Sequence, residues 1–187
     1  MNKNKQQGFT LVEIAIVLVI IGLLLGGVLK GQEMIKSAKV KSQMQQIDGI
    51  SAAFNTYQDK YGALPGDDKN AKKNTGGKVT NGDGKGTYSA KEGDQYVWEH
   101  LQAANLLSGY TALSDGRFSN KYGLGAYLRT NHAKLSGAVS CFSVPNDVAI
   151  EIDRKRDDGD GRTGSMRKND GKAYPTKAGN SWICSAV

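Results

Sequence analysis

Proline is almost missing from this chain. Only three of its 187 residues are proline, and none comes before Pro65, so no proline kinks or stops a helix in the first third. Cysteine is equally scarce. Cys141 and Cys184 are the only two, too few for a disulfide scaffold or a four-ligand zinc site. Histidine also occurs twice, as His100 and His132, and neither lies in an HExxH pattern; GxSxG and P-loop patterns are absent as well. A catalytic reading has little to rest on, and no enzyme is expected. Acidic residues are the minority, 18 against 25 Lys and Arg, which leaves a net charge of +7. A basic balance permits contact with nucleic acid or anionic lipid and proves neither. The 24 glycines beside three prolines describe a turn-rich chain that does not use proline for stiffness. What is present excludes a disordered or collagen-like chain: 39% hydrophobic and 23% charged residues, in a length that suits one domain with an appended element.

The apolar content is concentrated at one end. Residues 9–29 read FTLVEIAIVLVIIGLLLGGVL, with Glu13 as the single charge. As a helix this run is about 31 Å long, enough to cross a hydrocarbon core. It follows MNKNKQQG, which carries Lys3 and Lys5 and no acid. Lysines on that flank predict a cytoplasmic N-terminus and an exported remainder. A cleaved secretory signal has an apolar region of about 7–15 residues and an A-x-A-like site; this run is longer, and GGVLKGQEM offers no such site. A plain membrane anchor accounts for length and orientation but not for Glu13, since an acid within a span costs about 2.5–3.5 kcal/mol on insertion scales.

MNKNKQQGFTLVEIAIVLVIIG closely resembles the N-terminal signal of type IV pilins and type II secretion pseudopilins. The residues that carry the resemblance are Gly8, Phe9, Thr10, Leu11, Val12 and Glu13, after a short basic leader. The resemblance implies that a membrane aspartyl protease, the prepilin peptidase, cuts between Gly8 and Phe9, and that the new Phe9 amine is methylated. It implies the role of Glu13 as well: in the family this carboxylate neutralises the N-terminal amine of a neighbouring subunit during filament assembly. Pairing within one chain is the simpler alternative, because a cation and a carboxylate in low dielectric each cost less together than apart.

The resemblance further implies an α+β fold, a long N-terminal helix with a transmembrane first half packed on a small antiparallel β-sheet head. The expected segments are a leader at 1–8, a membrane or filament-core helix at 9–29, its amphipathic continuation at 30–61 and a globular head at 62–187. The implied function is structural, a subunit of a type IV pilus or of a type II secretion pseudopilus. Its implied partners are copies of itself, related minor pilins or pseudopilins, the prepilin peptidase and an inner-membrane assembly platform. Its implied location is the inner membrane before assembly and a periplasmic or extracellular filament afterwards. A monomeric membrane-anchored binding module and a DNA-binding competence pilin are the alternatives. Many type IV pilins have a proline where this chain has Lys30, so a proline kink is not expected. Gly22, Gly26, Gly27 and Gly31 suit close helix packing and local unwinding in a filament equally.

Beyond Leu29 the pattern turns amphipathic. Val40, Met44, Ile47, Ser51, Phe54 and Tyr61 keep helical spacing, widened by Ile50 and Tyr57. One helix from Thr10 to Tyr61 is predicted, stopped by Gly62 and Pro65. Residues 64–89, rich in Gly, Asn, Asp and Lys, read as a surface loop. Asp94 is the expected cap of a second helix over 94–107, with Val97, Trp98 and Leu101 inward and Gly109 near its end. Strands are expected around 118–128 and 137–144 and at SWICSAV, and a short helix from Pro145 to the Asp157-Asp158-Gly159 stop.

Three constellations remain. Both cysteines follow the span, and an oxidising exported compartment favours a Cys141–Cys184 disulfide, as in similar pilins; two unpaired buried thiols are the other reading. Residues 81–86 and 157–162 are acidic and glycine-rich, which suits calcium, with Asp157, Asp158 and Asp160 preferred as ligands. Lys85 and Arg162 occupy positions where an oxygen ligand belongs, which favours the reading of both stretches as ordinary Asp-Gly turns. Lys69, Lys72, Lys73 and Lys78 form the densest basic cluster, either a solvated face or a salt-sensitive DNA contact.

Overall fold

The computed structural model describes residues 10–77, 79–86, 93–112, 118–120, 125–130 and 133–187. The first helix, α1 (Leu11–Tyr61), runs for 51 residues without interruption, as an N-terminal third free of proline allows. It stops where the sequence predicts, at Gly62, which takes φ +64° and donates its N–H to Gln58 O at 2.8 Å. The chain divides into two compact units, Met1–Lys39 and Val40–Val187. In the first, the apolar side chains from Leu11 to Ile35 are exposed.

The second unit has a single main core. Val40, Ile47, Ile50, Phe54 and Tyr57 of α1 are buried in it, and Met44 and Tyr61 are partly buried against it, so the predicted stripe is the packing face. The other elements are α2 (Ala71–Thr75), α3 (Gly93–Ala103), β1 (Tyr110–Ala112), β2 (Phe118–Asn120), β3 (Gly125–Thr130), β4 (Ala138–Pro145), α4 (Asn146–Arg156), β5 (Met166–Lys168) and β6 (Asn180–Ala186). The strands form one antiparallel sheet in the order β1-β2-β3-β4-β6-β5. The fold is therefore α+β, as expected.

Alternation along β4 and β6 separates two faces. Phe142 and Val144 of β4 and Ile183 of β6 enter the main core with Val97 and Trp98 of α3 and Ile152 of α4. Val139, Cys141 and Cys184 lie in a second cluster with Tyr127 and Ala133. α4 follows β4 directly, with Asp147 in its first turn and Arg154, Lys155 and Arg156 in its last, each sign where the helix dipole favours it.

Several expectations need correction. The second helix starts at Gly93, so Asp94 lies inside its first turn, and it ends at Ala103 rather than at residue 107. The stop is Asn105, at φ +58°, and not Gly109. Leu106 N–H donates to Leu101 O at 3.0 Å across that turn, a closure in which asparagine tolerates the left-handed conformation. His100 is wholly buried. β1 and β5 are three-residue edge strands that lie outside the expected strand regions.

The 64–89 segment is more than a surface loop. It contains α2, and Asp67 and Asp68 are only 8% and 3% exposed. Their carboxylates gather backbone and side-chain donors from the loop and from α1. Asp67 accepts Lys85 N–H at 2.9 Å and Gly86 N–H at 2.7 Å. Asp68 accepts the Tyr57 hydroxyl at 2.9 Å, Asn70 N–H at 2.7 Å and Asn74 Nδ2 at 2.8 Å. Burial and the neighbouring Asp68 carboxylate raise the Tyr57 phenol above its ordinary range, so it donates at any physiological pH. Asp68→Ala strands a buried hydroxyl and two loop donors, and should cost about 3 kcal/mol. Urea denaturation of the full chain in detergent measures the loss, and a change below about 0.5 kcal/mol, the size of an ordinary surface effect, would deny Asp68 this anchoring role.

Candidate functional site

The candidate site is the start of α1. Thr10 is the residue before the helix, and Glu13 is in its first turn. Glu13 Oε2 accepts the Thr10 backbone N–H at 2.8 Å and the Thr10 hydroxyl at 2.7 Å. In return Glu13 N–H donates to Thr10 Oγ1 at 3.3 Å. This is a capping box, two helix-end donors satisfied by a Thr-x-x-Glu pair. It gives Glu13 a local task within its own chain. The T-L-V-E spacing is the sequence pattern of this cap. Both bonds are accepted by one oxygen, and among the described residues no donor reaches Oε1. Gly8 and Phe9 lie outside the described residues.

Downstream of Glu13 the helix is apolar on every side. It is the only helix among the described residues long and apolar enough to cross a membrane, with a mean hydropathy of 2.8 over an 18-residue stretch, none of which is buried. Leu11 is 91% exposed and Leu23 72%. Such a surface needs lipid or other protein against it. Gly22, Gly26, Gly27 and Gly31 have open space where a Cβ would project. Charge returns at Lys30, which pairs with Glu33 at 3.0 Å one turn along.

The remaining candidates lie in the second unit. Cys141 and Cys184 form a disulfide between directly paired residues of β4 and β6, with Cα atoms 4.0 Å apart and a sequence separation of 43. Of the preferred calcium ligands, Asp157 and Asp158 come together, but their third neighbour is Asp153, each offering an oxygen within 4.8 Å of the others. Asp160 faces Arg162 instead, whose Nη2 lies 2.6 Å and Nε 3.1 Å from Oδ2. Arg162 holds the Asp160 carboxyl below its usual range.

The three converging carboxylates already accept bonds from their own loop. Asp157 takes Met166 N–H at 2.9 Å, Asp158 the Thr163 hydroxyl at 2.5 Å, and Asp153 the Tyr174 hydroxyl at 2.7 Å. Burial raises the Asp153 carboxyl, partly offset by the Tyr174 bond. Asp153 lies within α4, four residues before the acidic run, where no local pattern marks it as a ligand. Lys69, Lys72 and Lys73 are exposed around α2; Lys78 and His132 lie outside the described residues. In the 81–86 stretch, Lys85 pairs with Asp83 at 2.7 Å.

Residues 3–29 match the family model described as the prokaryotic N-terminal methylation motif. No curated protein and no solved structure matches the chain. The matched stretch is the prepilin-type signal of type IV pilins and pseudopilins, and it ends where the apolar run ends. The motif supports a pilin-like or pseudopilin substrate of prepilin peptidase, and points to a structural subunit rather than an enzyme. With the apolar helix it fits an inner-membrane-anchored pilin.

Proposed function

We propose that this chain is a filament subunit, cut by prepilin peptidase between Gly8 and Phe9, methylated on the Phe9 amine and polymerised through α1 into a type IV pilus or a type II secretion pseudopilus. The observation that carries the reading is the apolar, uncovered surface from Leu11 to Ile35, which has Glu13 near its start and lies mostly within the methylation motif at residues 3–29. In this reading 1–8 is the leader, 9–29 the segment that moves from membrane to filament core, 30–61 its amphipathic continuation and 62–187 the head. The amine lies in the cytoplasm before assembly, and the head on the exported side. Assembly replaces lipid by the same helix of other copies, so the exposed apolar area is covered in both states. The partners are further copies, related minor subunits, the peptidase and an inner-membrane platform.

Glu13 performs two tasks in sequence. Within the chain it caps α1 through Oε2. In the filament its second oxygen receives the amine of a neighbour, so charge neutralisation also sets register between copies.

Processing is the direct test. Protein recovered from its host should have an intact mass lacking the first eight residues, with one methyl group on Phe9 located by N-terminal peptide sequencing. Deleting the prepilin peptidase should leave the full-length chain in the membrane. Recovery of only the uncut chain from a host with active peptidase would refute the proposal and favour a monomeric anchored module.

A further inference from the structure

His100, on α3, is wholly buried, and its ring bridges two points of one loop that lie 14 residues apart. Gly66 N–H donates to Nδ1 at 2.8 Å, and Nε2 lies 2.6 Å from Thr80 O. A backbone nitrogen can only donate, so Nδ1 presents its lone pair and the ring proton resides on Nε2, donated to Thr80. The neutral Nε2–H tautomer alone satisfies both contacts. The ring stacks on Tyr57 of α1, with centroids 5.9 Å apart and planes 22° from parallel. Gly66 takes φ +87°, and a Cβ there would collide with Val97, so only glycine brings this N–H to the ring.

We propose that His100 is an acid-sensitive latch, which holds the loop segment from Gly66 to Thr80 against α1 and α3 while neutral and releases it when protonated. The imidazolium carries N–H at both nitrogens, so its Nδ1–H would meet Gly66 N–H donor to donor in a buried site. Among the described residues, the ionisable groups around the ring are Tyr57 from α1, Asp68 from the loop and Glu99 from α3 itself. Asp68 and Glu99 attract a proton to the ring, but burial outweighs them and holds the imidazole below its ordinary 6.5. The opened loop binds the proton more readily than the latched one. Latching is therefore complete above pH 6.5 and is lost as pH falls below it, by up to about tenfold in the closed-to-open ratio per pH unit. Release would shift the exposed Lys69, Lys72 and Lys73, which lie between the two latch points. The latch rests on the fold of the second unit and not on the proposed filament role.

The test uses the full chain in detergent micelles. Amide exchange at Gly66, corrected for the intrinsic pH dependence of exchange, should show less protection at pH 5 than at pH 7.5, by up to about thirtyfold. In His100→Gln, whose amide offers an acceptor and a donor without titrating, the profile should be flat. Equal protection of Gly66 at both pH values in the wild type would overturn the latch. So would a His100→Gln chain with the wild-type profile, which would assign acid opening to the carboxylates. If the variant does not fold, imidazole ¹⁵N shifts of the wild type decide. An Nε2–H tautomer titrating below 6.5 together with loss of Gly66 protection supports the latch; an Nδ1–H tautomer or a midpoint at or above 6.5 overturns it.

Discussion

A Glu13→Ala chain should be cut after Gly8 and retained in the membrane as well as the wild type, yet yield at least about tenfold fewer sheared filaments, because breaking a buried ion pair by removing one partner costs about 3–5 kcal/mol. Cleavage depends on the Gly8-Phe9 junction, which the substitution leaves intact. Insertion should not suffer, since the change removes an acid from an apolar run. Assembly should suffer because a neighbour's amine would enter the filament core without its counter-charge.

The capping box adds a second loss, since alanine cannot accept the Thr10 bonds, but a cap is worth only about 1 kcal/mol. Glu13→Gln separates the two. Glutamine accepts both Thr10 bonds through its carbonyl oxygen and keeps the box, but carries no charge. If charge controls assembly, the Gln and Ala chains should be equally deficient; if the cap controls it, Gln should restore wild-type yield. Filament yield is read beside membrane-bound mature protein in matched strains. Wild-type yield from Glu13→Ala would remove the carboxylate from assembly and favour a plain anchor.

Replacing both cysteines, as Cys141→Ala with Cys184→Ala, should lower the stability of the second unit by about 4 kcal/mol, or about 12 °C in Tm. The bond joins two interior strands of the sheet, so the unfolded chain loses a loop of 43 residues' separation. Alanine leaves no polar atom in the apolar cluster of Tyr127, Val139 and Ala133, which keeps the measurement close to the crosslink itself. Thermal unfolding of purified oxidised protein against the double variant gives the difference, and peptide mapping without reduction verifies the link in the wild type. A loss below 1 kcal/mol would mean that the seven-residue register of β4 on β6 and its packing hold these strands unaided.

The sequence by itself determined the features written in consecutive or periodic residues. The methylation motif, the apolar run and its single acid are contiguous at 3–29. The stripe from Val40 to Tyr57 repeats at the helical period, so α1, its buried face and its stop at Gly62 could be read directly. Even the Thr10–Glu13 capping box was present as a four-residue pattern. Tertiary structure decided whatever depends on partners distant in the chain. Asp68 reads as a loop residue until Tyr57, 11 positions earlier, is placed over it. His100 reads as a helix-surface residue until Gly66, 34 positions earlier, donates to its ring. Asp153 becomes part of an acidic cluster only when α4 turns its last buried carboxylate toward Asp157 and Asp158. A hydrogen bond favours a geometry that local pattern does not encode, and a buried polar group must find such a partner or cost stability. Which partner it finds is set by the packing of α1, α3 and the sheet around it.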